Sequence, residues 1–347
     1  MGGIAMKVSF EATRPHLADL TFAATVDRLY ALAKEGPLAL LVHARPDGDC
    51  IGSAFAMSAL LSELGCKTRI VCSDKLPERL KFIGEGIQED ILPESATGVF
   101  AAGGRAISLD VASPAQLGEL EGKYNILLAI DHHASSTQFA DRYLDSGAAA
   151  TGEIVWRLAR EWVRRGYISE IPHRTAFAAY AAISSDTGCF KYSNVTAATH
   201  RAAAQLVSAV PEHADIDRLL FDTKTPSRLA AERSALEVLR LCEGGRIAVC
   251  PMSKKQIAEN GLESEELDAL IDVARSVAGV EVAFSIREEG EGKYRVSSRS
   301  NSAANVSELC AAFGGGGHLK AAGCTIEAGG LEEAVSVIVS AAKRLIS

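Results

Sequence analysis

Residues 125–136, NILLAIDHHASS, contain the pattern from which the fold is predicted. The apolar run at 126–130 is typical of a buried β-strand, and Asp131, His132 and His133 follow where that strand should end. In open parallel sheets, ligands bind beyond the carboxyl ends of the strands. The stretch therefore indicates either a surface turn or one part of a functional site, and its companions elsewhere in the chain decide between the two.

Short β-rich runs alternate with helical patterns in the first half of the 347-residue chain. A helix is expected at 50–65, and strands are expected at residues 38–43, 67–72, 105–110 and 125–130. This alternation predicts an α/β fold whose first sheet is mostly parallel and carries helices on both faces. From residue 151 to residue 210 the pattern is helical.

The polar stretch at 211–228 carries two prolines and is predicted to separate two domains. We expect a first domain at residues 1–212, a linker at 213–228 and a smaller, mixed α/β domain at 229–347. Within the second domain, two strands around the sequence EGEG are expected to form a hairpin. A short helix, four glycines, a strand and a C-terminal helix should complete it.

The composition excludes several classes of protein. A formal net charge of −8 leaves no broad basic surface for long nucleic acid, so a nucleic-acid partner should be short and held in a local pocket. The eight cysteines form no C-x-x-C pair, which favours reduced and mostly buried thiols. The chain shows no signal-peptide pattern and no apolar run of ~18 residues. These features predict a cytoplasmic protein with no membrane partner.

Further acidic and imidazole side chains are expected at the ends of elements. His43 and Asp110 end predicted strands, Asp47 and Asp49 lie in the loop after His43, and Asp186 ends a helical run. Each of these residues alone is typical of a solvated turn, but clustered carboxylates would repel one another without a counter-charge. Carboxylate and imidazole ligands without thiolate suit Mn²⁺, with Mg²⁺, Co²⁺ or Zn²⁺ as alternatives. Because the ligands outnumber those one ion needs, two ions that share a carboxylate are expected.

A second candidate site lies near the C-terminus, in the sequence GGGGH at 314–318. Backbone amides of a glycine loop can cradle phosphate oxygens, and a guanidinium can bind phosphate through two hydrogen bonds. A flexible loop with a surface histidine is the alternative. The candidate substrate-binding residues are Arg299, Ser300, Gly314, Gly315, Gly316, Gly317 and His318.

The ordered motifs resemble those of the DHH phosphoesterase superfamily. The chain contains, in this order, PDGDCIGS (46–53), LD (109–110), DHH (131–133) and SDTGCFKYSN (185–194). The stretch at 299–323 is similar to the substrate-binding domain associated with that superfamily. The pairing of these two domains and the GGGGH motif are most similar to the nanoRNase branch of the superfamily, the oligoribonucleases and 3′-phosphoadenosine-5′-phosphate (pAp) phosphatases. The resemblance covers residues 36–326 and implies a five-stranded parallel-sheet domain, a helical connection and a smaller mixed α/β domain.

The resemblance also implies a role for each candidate residue. Asp131 would orient the loop or an imidazole, and His133 would contact the scissile phosphate and assist the leaving group. One divalent cation would be held by His43, Asp47 and Asp110, and a second by Asp49, Asp110, His132 and Asp186. Relatives often carry an arginine a few residues past the shared aspartate, where this chain has Gln116.

The implied activity is hydrolysis of short oligoribonucleotides, two to a few nucleotides long, and of pAp to mononucleotides by a hydroxide that the two cations activate. Two alternatives keep the metals and change the substrate: a pyrophosphatase or exopolyphosphatase, and a phosphodiesterase of linear dinucleotides such as pApA or pGpG. A non-catalytic nucleotide-binding regulator is the alternative from another class. The expected partner is short RNA or a nucleotide, and a homodimer is left open.

Overall fold

The computed structural model describes residues 17–88, 90–262, 266–267, 269–290 and 292–346, and for His318 it describes the backbone alone. The chain divides into two compact units, Met1–Thr223 and Lys224–Ser347. The division falls within the segment 213–228, which was expected to be a linker. Much of that segment is helical, so its polar composition and its proline, Pro226, did not mean an irregular chain.

The first unit contains a five-stranded sheet and helices packed against it. The strands are β1 (Leu38–Leu41), β2 (Thr68–Val71), β3 (Arg105–Leu109), β4 (Asn125–Asp131) and β5 (Arg142–Leu144). The helices are α1 (Phe22–Glu35), α2 (Gly48–Ser62), α3 (Thr151–Arg164), α4 (His173–Asp186), α5 (Ala197–Ala209) and α6 (His213–Asp217). All neighbouring strands pair in parallel, in the order β2-β1-β3-β4-β5. The predicted parallel sheet is confirmed, whereas β5 and α1 were not foreseen.

The apolar residues of β1 show why a parallel sheet forms. All four residues of this strand are buried. Leu38 and Leu40 belong to the large core that includes α2, α3 and α4, while Ala39 and Leu41 belong to a smaller core on the opposite face. A strand that is buried on both faces reads as a continuous apolar run rather than an alternating one. The polar residues that follow each strand are thereby left at one edge of the sheet.

The second unit is a mixed α/β structure. Its strands are β6 (Arg240–Cys242), β7 (Ile247–Met252), β8 (Val282–Gly290), β9 (Lys293–Ser300), β10 (Gly316–His318) and β11 (Ala321–Glu327). Its helices are α7 (Pro226–Val238), α8 (Lys254–Glu259), α9 (Ala269–Arg275), α10 (Val306–Ala311) and α11 (Leu331–Lys343). The order is β10-β11-β9-β8-β7-β6, and β7 with β8 is the parallel pair. The predicted antiparallel hairpin is β8 with β9.

The glycine motif differs from the expected loop, because its last two glycines lie in the edge strand β10. A Cβ atom added at Gly315 would lie 2.2 Å from the carbonyl oxygen of Gly323, and one at Gly317 would lie 2.5 Å from that of Ala321. The glycines therefore allow this backbone to lie closely against β11. None of the helices in the described part of the chain has the length and apolar character needed to cross a membrane.

The contact between α2 and α4 depends on Gly52. A Cβ atom there would lie 2.6 Å from the carbonyl oxygen of Ala178 and 2.8 Å from Cβ of Ala182. We expect Gly52→Ala to lower the free energy of unfolding by roughly 1–3 kcal/mol, because the two helix backbones would have to separate. The measurement is urea unfolding followed by tryptophan fluorescence, since Trp156 and Trp162 both lie in the first unit, on α3.

Ser62→Ala on the exposed side of the same helix is the matched control, and it should leave the unfolding midpoint unchanged. An equal midpoint for Gly52→Ala and wild type would show that the helices accommodate the methyl group.

Candidate metal centre

The structure brings the acidic and imidazole residues together at the carboxyl edge of the first sheet. His43 follows β1 by two residues, and Asp110 follows β3 directly with a φ of +61°. Asp131 is the last residue of β4, and His132 and His133 come next. Because these strands are parallel and adjacent, the side chains that follow them share one edge of the sheet.

His43 forms the first group of donor atoms with Asp47 and Asp110. Its Nε2 lies 3.6 Å from Oδ2 of Asp47 and 3.7 Å from Oδ2 of Asp110. Its Nδ1 lies 2.8 Å from the carbonyl oxygen of Ala44, so the proton is assigned to Nδ1, which donates to that carbonyl. The Nε2 lone pair then faces the two carboxylates, as in a histidine that binds a metal.

His132 forms the second group in the same way. Its Nε2 lies 3.7 Å from Oδ2 of Asp49, 3.6 Å from Oδ1 of Asp110 and 3.7 Å from Oδ2 of Asp186. Its Nδ1 lies 3.2 Å from the carbonyl oxygen of Ala148. Asp110 thus offers one carboxylate oxygen to each histidine, as a bridging ligand must.

The spacing of the donor atoms fits divalent cations. Distances of 3.6 and 3.7 Å between imidazole nitrogen and carboxylate oxygen are too long for hydrogen bonds. Two ligands that each lie about 2.1 Å from one cation are separated by roughly 3 Å at an octahedral angle and by roughly 3.4 Å at a tetrahedral angle, so the observed spacing leaves room for a cation between them. Donor atoms of Asp49, His132 and Asp186 all lie within 4.8 Å of one another, and so do those of Asp110, His132 and His133.

The electrostatics of the second group also favour the binding of a cation. Burial, together with the charges of Asp110 and Asp186, raises the pKa of Asp49 well above its usual value. Burial also raises the pKa of Asp186 to about 7; the charge of His132 opposes this rise, and the charges of Asp110 and Asp47 add to it. Carboxylates crowded in this way ionise fully only when a cation is present.

His133 is held by Asp131. Its Nδ1 lies 2.7 Å from Oδ1 of Asp131, and the same oxygen accepts hydrogen bonds from the backbone N–H groups of His132 and His133 at 2.8 and 3.2 Å. Burial acts to lower the pKa of His133, but the hydrogen bond to Asp131 and the charge of Asp110 outweigh it and raise the pKa to about 9. Asp131 therefore fixes the ring and stabilises its protonated form.

The first residues of α3 contact the acidic cluster, and sequence reasoning did not identify them. The backbone N–H groups of Thr151 and Gly152 donate to the Asp49 carboxylate at 2.7 and 2.9 Å. The Thr151 hydroxyl donates to Oδ1 of Asp110 at 2.9 Å. A helix N-terminus attracts negative charge. The sequence signal was the start of the helical pattern at Thr151. That signal predicts the N-terminus of the helix but not its contacts with Asp49 and Asp110.

Two amide side chains hold the loops around the site. Asn194 donates to the backbone carbonyl of Asp186 at 3.0 Å and to that of Ala149 at 3.0 Å. Gln116 accepts a hydrogen bond from the N–H of Ala112 at 2.6 Å through its side chain, and one from the N–H of Ala44 at 2.7 Å through its backbone. Gln116 thus ties together the loops that carry His43 and Asp110.

The candidate substrate-binding residues lie in the second unit. Arg299 and His318 both pair with Ala321 in the strand register, so they flank the same position of β11. The Arg299 guanidinium donates to the carbonyl oxygen of Ser298 at 3.0 Å, and the Ser300 hydroxyl donates to that of Ser302 at 3.1 Å. The side chain of His318 lies outside the described residues.

Two of the four glycine amides that were expected to cradle phosphate have hydrogen-bond partners within the second unit. The N–H groups of Gly314 and Gly315 donate to the carbonyls of Ala311 and Cys310 at the end of α10, at 3.0 and 2.9 Å. A helix C-terminus leaves carbonyl groups that need such donors, and a glycine-rich turn supplies them. This use of the amides could not be read from the glycines alone.

The comparisons with known proteins agree with this architecture. Residues 38–183 match the model of the DHH family, N-terminal domain, and residues 244–347 match that of the DHHA1 domain. The chain is 29% identical over 323 residues to the bifunctional oligoribonuclease and PAP phosphatase NrnA of Thermus thermophilus, and the match covers 90% of each chain. It is 24% identical over 302 residues to the cyclic-di-AMP phosphodiesterase GdpP of Geobacillus thermodenitrificans, covering 83% of this chain and 44% of the relative. An exopolyphosphatase-related protein from Bacteroides fragilis has the same fold, with a TM-score of 0.81 at 23% identity over 93% of this chain and 96% of that one.

The hydrogen bond from Thr151 to Asp110 can be tested without substrate. We expect Thr151→Val to weaken binding of Mn²⁺ by about 10- to 100-fold, because the shared carboxylate loses the hydroxyl that orients it. Free Mn²⁺ would be measured by electron paramagnetic resonance during titration of the protein. Thr151→Ser keeps the hydroxyl and should bind almost as tightly as wild type. Equal affinities for the valine and serine variants would show that the hydroxyl does not position Asp110.

Proposed function

The chain belongs to the DHH phosphoesterase superfamily, in its oligoribonuclease and pAp phosphatase branch, and from this premise we propose that it hydrolyses RNA fragments of two to a few nucleotides, and pAp, to mononucleotides. That it is a phosphoester hydrolase follows from the family. The observation that carries the finer proposal is Asp110, which directs one oxygen to each of two imidazole–carboxylate groups. Such a paired site is suited to phosphoryl chemistry.

We propose that the centre holds two divalent cations and that Mn²⁺ is the functional ion. Their ligands would be those implied by the resemblance: His43, Asp47 and Asp110 for one, and Asp49, Asp110, His132 and Asp186 for the other. When bound, such cations make a water molecule more acidic and offset the charge that develops on the phosphate. The carboxylate-rich donor set supports this choice, because Mn²⁺ and Mg²⁺ prefer oxygen ligands.

His133 is proposed to contact the phosphate. Its Nδ1 lies 2.7 Å from the Asp131 carboxylate, and this hydrogen bond favours the protonated imidazole. It can therefore stabilise negative charge on a phosphate oxygen and donate a proton towards the leaving oxygen. Asp131 is proposed to position His133 rather than to react.

The second unit is proposed to recognise the nucleotide end of the substrate. The strand β10 is an edge strand, so part of its backbone is not paired within the sheet. Gly316 and Gly317 of this strand are exposed, and their backbone could contact a terminal phosphate together with Arg299 and Ser300. A guanidinium such as that of Arg299 binds phosphate well. A net charge of −8 gives long RNA no basic track along the surface, and this favours short substrates.

Cleavage of a linear dinucleotide such as pApA or pGpG is a second candidate. The similarity to a cyclic-di-AMP phosphodiesterase over 83% of this chain supports it. A dinucleotide is also the shortest RNA fragment, so on dinucleotides both candidates break a phosphodiester bond and differ only in their preference among substrates. Hydrolysis of pAp breaks a phosphomonoester bond and belongs to the first candidate alone.

A substrate panel with Mn²⁺ tests the proposed function. It would contain RNAs of two to twenty-four nucleotides, pAp, pApA, pGpG and pyrophosphate, with release of mononucleotide or phosphate as the readout. We expect kcat/KM to be highest for two to about four nucleotides, because a compact site gains little from further phosphates. Asp110→Ala should lose at least about 10³-fold in kcat, since neither cation would be held correctly.

Glu121→Ala, at an exposed carboxylate of the same unit, is the control and should be as active as wild type. A preference for the longest RNAs would contradict the proposal, and so would near-normal turnover by Asp110→Ala. A strong preference for pGpG or pApA over other dinucleotides would favour the second candidate.

The two adjacent histidines should behave differently. His132 faces three carboxylates through Nε2, so His132→Ala should lose bound Mn²⁺. His133 is tied to Asp131, so His133→Ala should retain most of the metal and lose kcat by about 10²- to 10⁴-fold, the scale of a general acid. Metal content by atomic emission, measured beside turnover, separates the two. Equal loss of metal in both variants would remove the distinction.

A further inference from the structure

Cys50 places a thiol at the first group of candidate ligands. Donor atoms of His43, Asp47 and Cys50 all lie within 4.8 Å of one another, and Cys50 is fully buried. The thiol lies 3.5 Å from the backbone carbonyl oxygen of Asp47, to which it donates. The donor set at this position therefore contains sulfur beside imidazole and carboxylate, whereas the sequence suggested a site without thiolate.

The start of α2 explains why the thiol lies there. Asp47 caps this helix by accepting hydrogen bonds from the N–H groups of Asp49 and Cys50 at 3.1 and 3.0 Å. Side chains on a helix point back towards its N-terminus, so Cys50 is directed towards the capping residue. The N-terminus of α2 also lies beside His43, whose Nε2 is 3.6 Å from Asp47.

We propose that Cys50 is a further ligand of the cation held by His43, Asp47 and Asp110, and that it raises the affinity of this position for Zn²⁺ and Co²⁺ above that of a position with oxygen and nitrogen ligands alone. The proposal rests on the proposed metal centre. Sulfur ligands select softer cations, and carboxylates select harder ones. When the cation binds, it replaces the thiol proton, which passes to solvent, and no electron is transferred.

The two positions of the centre would then differ in preference. The group of Asp49, His132 and Asp186 offers carboxylates and an imidazole, which suit Mn²⁺. The group that includes Cys50 offers one ligand of a different kind. The position beside Cys50 should therefore bind softer cations more tightly than the other position does, while Mn²⁺ can occupy both.

Absorption of the cobalt-loaded protein tests the proposal without substrate. Wild type is stripped of metal with a chelator and titrated with Co²⁺, and a sulfur-to-cobalt charge-transfer band is sought in the near ultraviolet. The band should appear in wild type and be absent in Cys50→Ala. Cys66→Ala is the matched control, because Cys66 is also buried in the first unit but its thiol donates to the carbonyl of Gly36, and this variant should keep the band.

Metal affinities provide the second readout. Zn²⁺ binding should weaken by at least about tenfold in Cys50→Ala, while Mn²⁺ binding should change by less than about threefold. Cys50→Ser keeps the size of the side chain and should also lose the charge-transfer band, so loss of the band cannot be attributed to a cavity. Far-ultraviolet circular dichroism of each variant confirms that it is folded.

Absence of the band in cobalt-saturated wild type would overturn the proposal, and so would its persistence in Cys50→Ala. Either result would leave the proposed hydrolase untouched, because that is judged by the substrate panel with Mn²⁺. Conversely, a normal band in a protein that hydrolyses none of the phosphoesters would reject the proposed function and keep the thiol ligand.

Discussion

Asp110 offers one carboxylate oxygen to each of two imidazole–carboxylate groups, and the surrounding backbone holds it in that position. The residue directly follows β3 in a left-handed conformation, with a φ of +61°, which non-glycine residues seldom adopt. Its N–H donates to the carbonyl oxygen of Ile130 at 3.0 Å, and its carboxylate accepts the Thr151 hydroxyl. Strain of this kind persists where neighbouring contacts determine the conformation, and it is concentrated at functional sites.

Much of this arrangement could be predicted from the sequence because the residues that carry it follow buried strands. Once β1, β3 and β4 are recognised as parallel neighbours, the positions of His43, Asp110 and Asp131 at one edge follow. The short strand β5 could not be recognised, since three residues show no clear periodicity. Sequence periodicity predicts helices and strands and where they end, but it does not predict which ends that are distant in the sequence lie close together in the fold.

What the sequence could not show depends on such meetings. Thr151 contacts Asp49 across 102 residues, and no local pattern specifies that the N-terminus of α3 faces this carboxylate. The sequence did not show that the amides of Gly314 and Gly315 donate hydrogen bonds to the last carbonyl groups of α10. Cys50 was visible in the motif, but only the turn of α2 directs its thiol towards Asp47.

The hydrogen bonds between Asp49 and the start of α3 also have a consequence for biosynthesis. Asp49 and Gly152 are 103 residues apart, and Asp186 emerges from the ribosome later still. The segment that carries Asp47 and Asp49 is therefore synthesised long before the helix whose amides contact Asp49. Closing so large a loop has an entropic cost, and folds dominated by distant contacts form slowly. Asp47 and Asp49 should therefore stay solvent-accessible in the nascent chain until α3 and α4 have left the exit tunnel. The metal centre should then assemble in one late step.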